Sequence, residues 1–169
     1  MTEALQKPSL ETSGIPDMDE RLHRAFEIEL ALDPEHTLPN VTLAPDPSKL
    51  VPRGGTLTIE RNLITHEDIT VGNYTLMWDK KTNERWFHGI NIDETFRGQG
   101  FGLATYKEVI EQSVVDGCDF RTEDWSQTEG AKRIWEKLRE KGLAEAVSEF
   151  TPDGNGQFTG EYIVRAGAV

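Results

Sequence analysis

The stretch Arg97-Gly98-Gln99-Gly100-Phe101-Gly102 places three glycines between a segment of strand character and a segment of helical character. Before it, residues 86–93 alternate as in a half-buried strand, and after it Leu103, Tyr106 and Ile110 recur at helical spacing. Backbone N–H groups at the start of a helix have no partner within the helix and carry partial positive charge. Glycines allow a phosphate to approach those groups without obstruction by a Cβ atom. The sequence therefore predicts a site for a phosphorylated ligand.

The rest of the chain predicts one domain of mixed α and β structure (α+β). Residues 1–16 have the composition of a flexible leader, and residues 17–169 are long enough to build a single core without disulfides. The predicted elements are a helix over about 17–33, an extended proline-rich connection over 34–55, strands over about 56–64, 69–78 and 85–93, the helix that follows the glycines and ends near 116, a strand over 118–123, a helix over about 128–141, and a hairpin of segments 143–150 and 157–165.

Charge and composition exclude some classes of function. The chain has 18 basic and 30 acidic residues, a net charge of -12, which argues against a general nucleic-acid binder and is compatible with a cationic amine substrate. No apolar run approaches the roughly 20 residues that span a bilayer, and residues 1–7 lack the layout of a signal peptide. The single cysteine fits a reducing compartment. We therefore expect a cytoplasmic protein without a membrane partner.

Two common phosphate-binding patterns do not fit the glycine turn. A nucleotide triphosphate loop ends in Gly-Lys-Ser or Gly-Lys-Thr, and this turn has no such lysine. A dinucleotide fingerprint needs a third glycine three residues after the second, where this chain has Leu103 or Thr105. The preceding segments also predict an antiparallel meander instead of the opening of a βαβ unit.

The turn and its surroundings resemble the acyl-CoA-binding region of the GNAT superfamily of N-acetyltransferases. The pattern Arg/Gln-x-x-Gly-x-Gly/Ala is met by Arg97, Gly100 and Gly102, residues 90–103 resemble the family's strand and loop in one continuous run, and residues 131–138 resemble its second conserved helix. The resemblance covers about residues 56–165. It implies a central, mostly antiparallel mixed sheet that splays at the acyl-CoA site and is flanked by helices.

The resemblance also implies which residues hold the co-substrate acetyl-CoA, without a metal. The pantetheine arm would pair with backbone groups of the strand before the turn, and the pyrophosphate would lie on the amides of residues 99–103, with charge added by Arg97. The residues implied to contact the cofactor are Ile90, Asn91, Ile92, Arg97, Gly98, Gln99, Gly100, Phe101, Gly102, Leu103, Thr128 and Trp135.

Acetyl transfer to an amine needs a group that accepts the amine proton. His88 is the first candidate, because strand alternation places it on one face with Ile90 and Ile92 and a histidine can accept a proton at neutral pH. Glu123 is the second candidate, because it ends the neighbouring strand where the sheet is expected to open. Both residue types also occur as structural groups on a sheet, so the sequence leaves the base undecided.

The second conserved helix departs from the family pattern. Many members carry a tyrosine there as thiolate acid, in an Asn-x-x-Ala-x-x-x-Tyr setting. Aligned on Ala131, Thr128 replaces the asparagine and Trp135 replaces the tyrosine. Tyr74, Tyr162 or water could supply the proton instead, or the thiolate could leave without help.

Two functions follow from these observations. The first is transfer of an acetyl group from acetyl-CoA directly to a primary amine of a small molecule, antibiotic, polyamine or protein. The alternative, favoured by Trp135, is a catalytically inactive module that binds acyl-CoA or a protein partner for regulation. Strand edges and the C-terminal hairpin would allow a homodimer.

Overall fold

The computed structural model describes residues 18–46, 56–123 and 127–167, and the predicted leader over residues 1–16 lies outside these ranges. Three helices lie within them: α1 (Met18–Leu32), α2 (Phe101–Val115) and α3 (Glu129–Glu140). Seven strands lie within them: β1 (Thr42–Pro45), β2 (Leu57–His66), β3 (Ile69–Asp79), β4 (Glu84–Ile92), β5 (Asp119–Arg121), β6 (Glu145–Pro152) and β7 (Phe158–Val164).

The predicted helices and strands are confirmed to within a few residues, with one strand missed, and residues 47–55 of the predicted connection lie outside the described ranges. The proline-rich connection contains β1, which pairs antiparallel with β2 from Thr42 opposite Thr65 to Pro45 opposite Asn62. β1 is the edge strand of the sheet. A proline, which has no N–H to donate, is tolerated in an edge strand. The proline content therefore led to the prediction of a connection, whereas part of this segment forms a short edge strand.

The sheet has the order β1-β2-β3-β4-β5-β7-β6, and its helices complete the predicted mixed α and β fold. β4 and β5 are parallel, whereas the other neighbouring strands are antiparallel. β4 and β5 pair only through Glu84 with Asp119 and Arg85 with Phe120. Beyond Arg85 the two strands separate, so a wedge opens between the carboxyl end of β4 and the carboxyl end of β5. This is the predicted splay.

A bulge in β4 corrects the predicted position of His88. Thr75 lies opposite Gly89 and Leu76 lies opposite Phe87, so β4 has one residue more than β3 at this point. The extra residue interrupts strict alternation. Phe87, three residues before Ile90, therefore shares the inner face with Ile90, and His88 is exposed. The expectation that His88 shares a face with Ile90 and Ile92 was wrong for this reason.

An aromatic cluster joins the inner face of the sheet to α3. Trp135 is 1% exposed and stacks on Phe120 at 6.0 Å between ring centroids. Phe120 meets Phe87 edge-on at 5.2 Å, and Tyr162 lies 6.5 Å from Trp135. These contacts anchor both strands at the closed end of the wedge.

A buried ammonium on α2 faces three carboxylates. The Nζ atom of Lys107 lies 3.2 Å from Glu111, 3.1 Å from Glu108 and 3.9 Å from Glu29 on α1. Burial lowers the pKa of Lys107, but its hydrogen bonds to Glu108 and Glu111 and their charges outweigh burial and raise it. One ammonium cannot balance three carboxylates. Glu111 is the least exposed of the three, and burial raises its pKa from 4.5 to about 7.

Replacing Glu111 by glutamine is therefore expected to stabilise the protein at alkaline pH. Between pH 4.5 and about 7 the folded protein binds more protons at Glu111 than the unfolded chain does, so stability falls as pH rises. The variant lacks this loss, and its advantage should grow by up to about 3 kcal/mol from about pH 5 to about pH 8. Urea unfolding at both pH values measures this difference. Glu108→Gln, at a more exposed carboxylate, is the control, and an equal effect at both sites would contradict the assignment to Glu111.

Candidate active site

The glycine turn adopts the conformation that a helix start of this kind requires. Gly98 and Gly100 have φ of 76° and 88°, in the left-handed region that favours glycine. Gly100 is the N-cap of α2, and its carbonyl accepts the amide of Ala104 at 2.9 Å. A Cβ atom on Gly100 would lie 3.2 Å from Leu38 Cδ2. The first amides of α2 therefore face outward at a helix end that has no capping side chain.

Side chains of the turn fasten it to the residues before it. Arg97 Nε donates to the Ile92 carbonyl at 2.9 Å, and Gln99 Nε2 donates to the Thr95 carbonyl at 3.3 Å. Phe101 is buried with its ring edge-on to His66. The side chain of Phe101 is therefore turned into the core, and only its backbone is available to a ligand at this helix start.

A cleft of about 520 Å³ extends from the start of α2 between β4 and α3, and we call it the outer cleft. Its lining residues are Leu32, Ile90, Ile92, Gly102, Leu103, Tyr106, Thr128, Gly130, Ala131, Arg133, Ile134 and Lys137. Among these, the charged residues are Arg133 and Lys137, both positive. The outer cleft thus combines an apolar floor with positive charge and a free helix start.

A second cavity, of about 260 Å³, lies in the wedge between β4 and β5, and we call it the wedge cavity. Its lining residues are Phe87, Gly89, Ile90, Tyr106, Phe120, Arg121, Thr122, Glu123, Gln127, Thr128, Ala131, Trp135 and Gln157. Ile90, Tyr106, Thr128 and Ala131 line both cavities. The two cavities are therefore adjacent, and together they lead from the helix start to Glu123.

The two candidate bases have different positions in this site. Glu123 is partly buried and lines the wedge cavity just beyond the end of β5. His88 is exposed on the bulge of β4 and is not among the residues that line either cavity. Thus, of the two candidates, only Glu123 lines one of these cavities.

Comparison with solved structures identifies the architecture. No family model and no curated protein sequence matches the chain. The ribosomal-protein-S18-alanine N-acetyltransferase of Escherichia coli superposes with a TM-score of 0.53 at 11% sequence identity, over 77% of this chain and 96% of that chain. The chain has the GNAT fold.

Other solved structures of the GNAT type are also similar. A GNAT family acetyltransferase from Elizabethkingia anophelis with acetyl-CoA bound is 16% identical over 75% of this chain and 96% of that chain, with a TM-score of 0.46. A Bacillus subtilis acetyltransferase in complex with CoA is 14% identical over 63% and 76%, with a TM-score of 0.44.

Within the GNAT fold of this chain, α3 supplies the floor of the wedge cavity. Thr128 is the N-cap of α3, and its hydroxyl accepts the Ala131 amide at 3.2 Å. Trp135 lies two turns further along, buried on Phe120. Both residues expected to contact the cofactor from α3 thus border the cavities, Thr128 at the junction and Trp135 in the wedge.

Tyr106 is not among the residues that the sequence predicted for the site. Tyr106 lines both cavities, whereas Tyr74 lines a separate cavity between α2 and strands β1–β3. The hydroxyl of Tyr162 donates to Glu149 at 2.9 Å, and Tyr162 lines neither cavity. Helical spacing one turn after Gly102 was the available signal for Tyr106, but that spacing is equally typical of a core residue.

A groove on the other side of Glu123 is acidic. This groove, of about 450 Å³, lies against β6 and β7 and is lined by Glu123, Ser148, Glu149, Thr151, Thr159, Gly160 and Glu161. Its charged lining residues are Glu123, Glu149 and Glu161. Glu149 is ion-paired with Arg139, and Glu123 lines both this acidic groove and the wedge cavity.

Among residues 18–46, 56–123 and 127–167, no group of three His, Cys, Asp or Glu side chains is arranged to hold a metal ion. None of the helices in this part of the chain has the length and apolar character needed to cross a membrane.

Proposed function

We propose that the protein is an N-acetyltransferase that moves the acetyl group of acetyl-CoA directly to a primary amine. The observation that carries this proposal is that the outer cleft beside the free helix start of α2 and the wedge cavity lined by Glu123 are adjacent and share four lining residues. The GNAT fold supports it, since the structural neighbours are N-acetyltransferases.

The donor binds from the side of α2 in this proposal. The pyrophosphate of CoA lies on the amides of residues 99–103, where the helix dipole favours negative charge. Lys137 adds positive charge along the outer cleft, where Arg133 is ion-paired with Glu129. The pantetheine arm follows the backbone of residues 90–92, which faces the wedge because β4 is separated from β5 there. These contacts place the thioester in the wedge cavity.

The acceptor enters from the acidic groove. Carboxylates there raise the local concentration of cationic amines, and this favours a protonated amine over a neutral or anionic substrate. Glu123 lies where the acidic groove meets the wedge cavity, so an amine that reaches the thioester passes it.

The attack of the amine on the thioester then needs one proton acceptor in the site. Holding the amine and the thioester together supplies much of the rate, because a bimolecular step becomes effectively unimolecular. The ammonium of the acceptor first loses one proton to solvent. The neutral amine nitrogen then attacks the carbonyl carbon, and the second proton, which it loses as the C–N bond forms, passes to the Glu123 carboxylate. We assign this role to Glu123 instead of His88, because Glu123 lines the wedge cavity.

A non-catalytic module that binds acyl-CoA is the second candidate function. The indole of Trp135 occupies the floor of the wedge cavity and is 1% exposed, so no side chain at this position of α3 donates a proton. Binding without turnover would be the result.

A thiol-release assay distinguishes the two functions. The protein is mixed with acetyl-CoA and a panel containing spermidine, a lysine peptide and an aminoglycoside, while calorimetry measures CoA binding separately. We expect free thiol only when an amine is present, and acetylated amine by mass spectrometry. Tight CoA binding with no turnover on any amine would favour the second candidate, and absence of CoA binding would contradict both.

A further inference from the structure

Tyr106 lies where the outer cleft and the wedge cavity meet. Its ring is held edge-on to Phe87 on β4 at 4.7 Å between centroids. Across the described parts of the chain, its hydroxyl forms no hydrogen bond. A phenol that is held against Phe87, has no hydrogen-bond partner and belongs to a residue lining both cavities is a donor available to a ligand there.

The protonation state of the Tyr106 hydroxyl determines whether it can donate a hydrogen bond. Burial raises the pKa of Tyr106 above its ordinary value, and the charge of Glu123 raises the pKa further. The other charged residue that lines the wedge cavity is Arg121, whose guanidinium lies 3.8 Å from the Trp86 ring. Tyr106 therefore stays neutral and keeps its proton at physiological pH.

The leaving group in acetyl transfer needs a hydrogen-bond donor, and the α3 position where the GNAT pattern has a tyrosine carries Trp135. As the C–S bond of the thioester breaks, the sulfur collects negative charge inside a cavity that is partly closed to water. Donors aimed at developing charge in such a site give large rate effects. We propose that the Tyr106 hydroxyl donates a hydrogen bond to the sulfur of CoA as the thiolate leaves. The inference rests on the proposed acetyl transfer.

The step balances without proton transfer from Tyr106. The amine nitrogen forms the C–N bond, the C–S bond breaks, and the sulfur keeps the electron pair. The amine proton goes to Glu123. A thiol has an ordinary pKa of about 8.5, so a phenol of raised pKa is the weaker acid and keeps its proton. The thiolate takes a proton from water after release.

Tyr74 provides a matched control. Its ring also meets Phe87 edge-on, at 5.6 Å, and burial also raises its pKa. It lines the separate cavity between α2 and strands β1–β3, away from the wedge. Tyr74→Phe therefore removes the same atom from a similar environment outside the proposed site.

The experiment compares Tyr106→Phe, Tyr74→Phe and the unaltered protein in two measurements. Ultraviolet absorbance of the thiolate during a pH titration gives the pKa of the CoA thiol in the bound complex. We expect that pKa to be about one to two units higher in Tyr106→Phe than in the other two proteins. In turnover, kcat should fall about 10²-fold in Tyr106→Phe with little change in KM for acetyl-CoA. The deficit should shrink with acetyl thioesters of more acidic thiols.

Each possible result either supports the inference or contradicts it. An unchanged thiol pKa in Tyr106→Phe would overturn it, even in a protein without turnover. A rate deficit that is equal for all leaving groups would indicate that the Tyr106 hydroxyl donates to the carbonyl oxygen instead of the sulfur. That result would also overturn the inference. If the unaltered protein does not bind CoA, the proposed function fails together with the inference. If the protein binds CoA and acetylates an amine but Tyr106→Phe behaves like Tyr74→Phe, the inference alone fails.

Discussion

Replacing Glu123 by glutamine is expected to lower kcat for amine acetylation by about 10² to 10⁴-fold, the usual contribution of a positioned base. Glutamine keeps the size and hydrogen-bonding capacity of the side chain but cannot accept the amine proton. Glu123 lines the wedge cavity and is not among the residues lining the outer cleft beside the start of α2, so KM for acetyl-CoA should change little. Steady-state kinetics with saturating amine measure both parameters.

Two further variants make this result specific. Glu140→Gln, at an exposed residue ending α3, should leave kcat within about twofold, because surface substitutions of this kind have small effects. His88→Ala tests the competing base on the bulge of β4. If His88→Ala loses the activity and Glu123→Gln retains it, the base is His88 and the acceptor approaches from the opposite face of the sheet.

Replacing Trp135 by alanine is expected to lower the free energy of unfolding by about 3–5 kcal/mol. The indole is 1% exposed, stacks on Phe120 and lies beside Tyr162. Its removal therefore leaves a cavity between α3 and the closed end of the wedge. Urea unfolding followed by circular dichroism measures the loss.

The control for this loss is a large apolar residue on the surface. Phe26 on α1 is 52% exposed, and Phe26→Ala should cost less than about 1 kcal/mol. Trp135→Phe, which keeps a ring over Phe120, should cost clearly less than Trp135→Ala. A Trp135→Ala variant as stable as the unaltered protein would show that the wedge does not depend on this stacking.

Local patterns carry enough information for features that depend on neighbouring residues in the chain. Gly98 and Gly100 mark left-handed positions, Thr128 caps α3 through the Ala131 amide, and Gly142 follows the end of α3 with a φ of 72°. Each of these features involves residues within a few positions of one another, so residue type alone carries the information. The resemblance of residues 90–103 to the GNAT loop likewise depends only on residues that are close together in the chain.

Pairing between distant segments could not be predicted in this way. β1 forms in a proline-rich segment because the edge of β2 is free to pair with it. The bulge at His88 appears only when the register of β4 against β3 is known, and it moves the histidine off the inner face. Strand periodicity without register therefore selected a base that the structure leaves exposed.

By itself the sequence determined the α+β class, the order of the elements other than β1, and the glycine turn at the start of α2, because these follow from residue preferences over a few positions. Only the tertiary structure decided that Tyr106 and Glu123, from an interior turn of α2 and the end of β5, border one cavity. The physical reason is that β4 and β5 pair for two residues and then separate, and neither strand's own sequence encodes the point at which its partner leaves it.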